Sequence, residues 1–120
     1  MSSKFKGSHS PWGPIQYGEE LAPGLVLVGT SSHGGIRMSP ERLEEFEKAL
    51  PSWQSAYSPR GWLEEDCDAN LAYVVWPQHF KAEHVAFSRE YVMREPYFAK
   101  VRSELQKLIP APKGWEAVEA

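Results

Sequence analysis

The chain has one cysteine, no apolar run long enough to cross a bilayer and no surplus of basic charge. Each shortage removes a class of function. Cys67 cannot form an internal disulfide, so the expected setting is the reducing cytoplasm. No apolar segment after Met1 resembles a secretory signal, and no membrane role is expected. A net charge of −3 and a pI near 5.8 disfavour direct nucleic-acid binding, which ordinarily rests on a contiguous basic face. Paired cysteines of the structural-zinc kind are missing, as is the lysine of a phosphate loop, so no cofactor is expected.

What is present suits a folded domain. Within 120 residues, 42% are hydrophobic and 24% charged, and Trp, Tyr and Phe occur five times each. That supply of large apolar side chains can fill one core without staples. The pattern predicts an α+β fold, a small antiparallel three-stranded meander packed against three to four helices. Strands are expected at Ile15 to Leu21, Leu25–Thr30 and from Ile36, with Pro23-Gly24 as the first turn. Ser39 should cap a helix opened by Pro40, with Leu43, Phe46 and Leu50 on its inner stripe and Pro51 at its end. A second helix is expected from Leu63 to Trp76, a third from Lys81 to Arg94 and a fourth from Pro96 to Ile109. Residues 1–14 read as a flexible arm with Trp12 as first anchor, 15–112 as the domain, and 113–120 as a tail that Trp115 docks.

Three clusters invite chemistry. The turn Gly29-Thr30-Ser31-Ser32-His33-Gly34-Gly35 resembles an oxyanion loop, but the nucleophile elbow Gly-x-Ser-x-Gly is absent. Its structural reading is a hairpin in which Gly34 and Gly35 supply positive φ while Ser31 and Ser32 cap the backbone. Cys67 lies among Glu64, Glu65, Asp66 and Asp68, whose charges oppose a thiolate, and it falls on the predicted apolar stripe. It is therefore expected to be buried packing rather than a nucleophile. A metal site would draw on His33, Asp66, Cys67, Asp68, His79 and His84. His79 and His84 stand about 140° apart on a helix, so no metal site is expected and no catalytic residue is assigned.

Ala22-Pro23-Gly24, Gly29-Thr30-x-Ser32-His33-Gly34-Gly35, Ser39-Pro40-Glu41-Arg42-Leu43 and Trp62-Leu63-Glu64-Glu65-Asp66-Cys67-Asp68 together resemble a domain family of unknown function carried by phages, plasmids and other bacterial mobile elements. The resemblance spans roughly residues 11–80. It implies a small accessory protein of a mobile element, a class that includes inhibitors of CRISPR and restriction systems. Residues 38–77 have a charge balance of about −5 and residues 78–114 about +3. The first reading is thus a protein-binding inhibitor of a host defence complex. Glu41, Glu44, Glu45, Glu64, Glu65, Asp66 and Asp68 would meet a partner's basic groove, with Trp53, Tyr57 and Trp62 as anchors. The alternative is a small-ligand-binding or hydrolytic domain using Thr30, Ser32, His33, Gly34, Asp66 and Asp68. Burial separates the two: a ligand site needs these side chains to converge on a pocket, and an inhibitor needs an exposed patch.

Overall fold

The Pro23-Gly24 turn is where the chain first commits, with Gly24 at a φ of 83°. It joins two strands of the main sheet in a computed structural model that describes residues 8–110. In chain order, β1 (His9–Ser10) and β2 (Gly13–Pro14) form a two-stranded ladder, and β3 (Tyr17–Ala22), β4 (Leu25–Gly29) and β5 (Gly34–Met38) follow. The helix α1 (Pro40–Ala49) precedes β6 (Trp62–Glu64), and α2 (Asn70–Val75), α3 (Ala82–Arg94) and α4 (Arg102–Leu108) complete the described chain. Short 3-10 turns at Pro77–His79 and Pro96–Val101 lead into the last two helices. The mixed α/β architecture agrees with expectation. Among the described residues no helix is long and apolar enough to cross a membrane.

The sheet corrects the sequence reading. It has four antiparallel strands in the order β3-β4-β5-β6, not three. Its extra strand, β6, occupies residues predicted to start the second helix. Ile36 pairs with Leu63 and Arg37 with Trp62. Gly61, at a φ of 96°, breaks the chain just before the pairing. Leu63 and Glu64 are good helix formers, but a buried cross-strand partner overrides that intrinsic propensity, so the helix is delayed to Asn70. Residues 8–14, assigned to the leading arm, include the β1–β2 ladder. Trp12 meets Trp62 edge to face at 5.7 Å. Residues 1–7, and the tail 113–120 with Trp115, lie outside the described residues.

Helix α1 follows its sequence signals. Ser39 Oγ accepts from the Arg42 N–H at 3.1 Å, Pro40 opens the helix, and Phe46 and Leu50 are buried. Arg42 stands where a capping box would have Glu or Gln. Its guanidinium donates to the Pro23 carbonyl at 2.8 Å and lies over the Trp76 ring, tying the helix to the first turn and to the end of α2. The core between sheet and helices contains Leu25, Ile36, Leu63, Phe46, Leu71, Val74, Val92, Phe98 and Leu105. It packs β6 in place as the edge strand beside β5, and that placement builds the site.

Candidate functional site

The β4–β5 turn is the four residues Thr30–His33, closed by threonine chemistry. Thr30 Oγ1 donates to the His33 carbonyl at 2.6 Å and accepts from the N–H of Ser32 at 3.3 Å and of His33 at 3.1 Å. Ser32 Oγ reaches out to the Trp12 carbonyl at 3.4 Å. Gly34 and Gly35 are strand residues without positive φ, contrary to the hairpin reading. Glycine is required there by close approach. A Cβ on Gly34 would stand 2.6 Å from the Val28 carbonyl and collide with the Glu65 carboxylate, and one on Gly35 would collide with the Leu63 carbonyl and the Trp12 ring. The turn is thereby pressed against the Glu64–Asp66 segment.

At that junction lies a cavity of about 370 Å³ lined by Trp12, His33, Tyr57, Glu64, Asp66 and Cys67. Glu64 is its deepest charged group. Its side chain is 9% exposed, against 56% for His33. Oε1 accepts the N–H groups of Asp66 at 3.0 Å and Cys67 at 3.2 Å. Oε2 faces His33 Nδ1 at 4.0 Å, and among the described residues no donor hydrogen-bonds to it. Burial pushes the Glu64 carboxyl above its ordinary range, the two N–H bonds oppose this, and the charges of Asp66 and Asp68 add to the rise. His33, Glu64 and Asp66 each offer a ligand atom within 4.8 Å of the others.

Cys67 corrects two expectations. It sits in the turn before α2, not on a helical stripe, and is partly rather than fully buried. Burial pushes its thiol up and the nearby carboxylates reinforce this, partly offset by the Tyr91 hydroxyl 3.9 Å away. A thiolate nucleophile is disfavoured at this position.

Asp68 goes elsewhere. It is fully buried and accepts hydrogen bonds from Ser55 Oγ, Ser58 Oγ and, at 2.6 Å, the Tyr97 hydroxyl. These bonds staple the 52–61 loop, because Ser55 Oγ also accepts from Tyr57 and Ser58 N–H and Ser58 Oγ accepts from Glu64 N–H. Asp68 therefore belongs to neither proposed surface. Trp53 stacks on Phe98 at 5.7 Å and Trp62 packs on Trp12, both half-buried, whereas Tyr57 is 55% exposed. Glu41, Glu44 and Glu45 are exposed on α1, and Glu65 and Asp66 are exposed beside the hairpin. His79 meets Arg42, and His84 lies by Tyr73, both away from the cavity.

Sequence reasoning missed Trp12 and Cys67 as cavity walls and assigned Glu64 to an exposed face. A usable signal was the small-residue pair Gly34-Gly35, which marks a backbone that another segment approaches closely. A family model for a domain of unknown function, DUF7007, matches residues 5–119. The chain belongs to that family. No curated protein and no solved structure matches it.

Proposed function

We propose that this chain is a ligand-binding domain whose cavity at the His33 turn takes a small, positively charged ligand. The observation behind this reading is Glu64, a carboxylate nine-tenths buried with one oxygen facing the cavity, where among the described residues it receives no hydrogen bond and meets only the exposed His33 ring at 4.0 Å. Asp66 adds a second acid, and among the described residues no Lys or Arg lines the cavity. A buried carboxylate is costly without a partner, and a bound cation supplies one. Trp12 and Tyr57 add aromatic faces that favour positive charge. The test is a thermal-shift panel of divalent metals, primary amines and guanidinium compounds on the wild type and Glu64→Gln. At least one cation should raise the wild-type Tm, by about 2.7 kcal/mol of stabilisation at a hundredfold excess over Kd, and fail to do so in the variant. If none does, the reading falls.

A second reading rests on Glu41, Glu44 and Glu45, exposed together along α1. That acidic edge suits a basic partner and supports a protein–protein role: a cytoplasmic mobile-element accessory protein that inhibits a host defence complex, of CRISPR or restriction type, at its nucleic-acid groove. Charge reversal of these residues should slow association with such a complex. An unchanged rate would remove this reading.

A further inference from the structure

We infer that the cation taken by this cavity is a divalent transition-metal ion of the zinc class, ligated by His33, Glu64 and Asp66. The inference rests on the ligand-binding reading above and specifies its ligand. One imidazole nitrogen with two carboxylate oxygens is a donor set suited to Zn²⁺, Co²⁺ or Mn²⁺, whereas Mg²⁺ and Ca²⁺ favour oxygen alone. Bonds of about 2.0–2.2 Å place two ligand atoms of one ion roughly 3–4 Å apart. The observed trio spans up to 4.8 Å, so the outer ligands must move inward by about an ångström. His33 and Asp66 are the exposed members and can do this by side-chain rotation, while Glu64 is fixed.

The fixing of Glu64 is the strongest part of the geometry. Its Oε1 is held by the backbone N–H groups of Asp66 and Cys67, so Oε2 is left at a set position opposite His33. Hydrogen bonds that orient a ligating carboxylate in this way preorganise a metal site. The N–H that holds Glu64 comes partly from Asp66, so one ligand's backbone positions another ligand's carboxylate. In the β4–β5 turn, the Thr30 hydroxyl fixes the backbone of His33. Three protein ligands leave a further coordination position open toward the cavity, as in zinc sites that bind water or a substrate.

The test uses the full chain, stripped with a chelator and titrated with Zn²⁺ by calorimetry and with Co²⁺ by visible absorption. One Zn²⁺ should bind per chain, Co²⁺ should give d–d bands of a low-coordinate site, and millimolar Mg²⁺ should give neither signal. His33→Ala and Asp66→Asn, both at exposed positions, should weaken Zn²⁺ binding at least tenfold while retaining the wild-type circular dichroism. Glu64→Gln, which keeps an oxygen for the two N–H groups, should do the same. Absence of Zn²⁺ binding, or an unchanged affinity in His33→Ala, would overturn the inference. An amine or guanidinium compound that stabilises the wild type but not Glu64→Gln, with no Zn²⁺ binding, would overturn the metal and leave the ligand cavity standing.

Discussion

Glu64 and Asp68 belong to one acidic run and are both buried, yet their surroundings differ completely. Asp68 is saturated: the hydroxyls of Ser55, Ser58 and Tyr97 all donate to it, and it does not line the His33 cavity. Glu64 is half-used, with one oxygen on two backbone N–H groups and the other open to a lined cavity. A buried carboxylate whose acceptor capacity is filled from within the fold does structural work, and one left partly open keeps acceptor capacity for water or a ligand. Charge counting along the chain treats the two alike, although only their partners separate them.

The largest effect should come from Asp68→Ala. It strands three hydroxyl donors and releases the 52–61 loop, so urea unfolding should show a loss of about 3 kcal/mol or more. A loss under about 1 kcal/mol would mean that the network is replaceable by water and that the contrast with Glu64 is weaker than drawn.

Next comes the hairpin that presses on Glu64. Gly34→Ala should destabilise by about 1–3 kcal/mol, because the added methyl meets the Val28 carbonyl and the Glu65 carboxylate. The expected cause is overpacking, not a strained φ. A Gly34→Ala protein as stable as wild type would show that β5 and the Glu65 turn separate easily, and the cavity would then be loosely held.

The legible parts of the fold were those set by local chemistry. Ser39-Pro40, Pro23-Gly24 and the Leu43-Phe46-Leu50 stripe each act within a few residues, and all appear where expected. β6 was not legible, since Glu64, Glu65 and Asp66 also suit a helix N-terminus, and only pairing with β5 selects the strand. The cavity was half legible. His33 and Asp66 were singled out, but Glu64 joins them through that unseen strand, and Trp12 through a ladder formed in what read as an arm. Spacing along one helix could not detect a cavity lining assembled across two turns.

A smaller effect is expected at high pH. Burial and the hydrogen bond to Asp68 push the Tyr97 phenol up to about 12, above the ordinary value of about 10. Between those values the folded chain binds more protons than the unfolded one, so stability contributed by Tyr97 is complete below about pH 10 and is lost as the pH rises toward 12. Chemical denaturation across this window should show a steeper decline for wild type than for Tyr97→Phe. Tyr17, Tyr73 and Tyr91, also raised, leave the variant a residual slope. Equal slopes would place the Tyr97–Asp68 bond in contact with solvent.

The smallest effect on stability should be that of Glu64→Gln, measured with chelator present. Its amide oxygen still accepts from Asp66 and Cys67, and the substitution removes a charge whose burial raises the carboxyl's pKa. A raised folded-state pKa means that ionising Glu64 weakens the fold as pH climbs through the carboxylate range, so at neutral pH the variant should match or slightly exceed wild type, within about 1 kcal/mol. Below that range both side chains are neutral and any advantage should vanish. Retained stability with lost cation binding would set Glu64 apart from Asp68 as a residue kept for its ligand. If Glu64→Gln instead unfolds the domain as readily as Asp68→Ala, the two carboxylates share a structural role and the cavity loses its main support as a binding site.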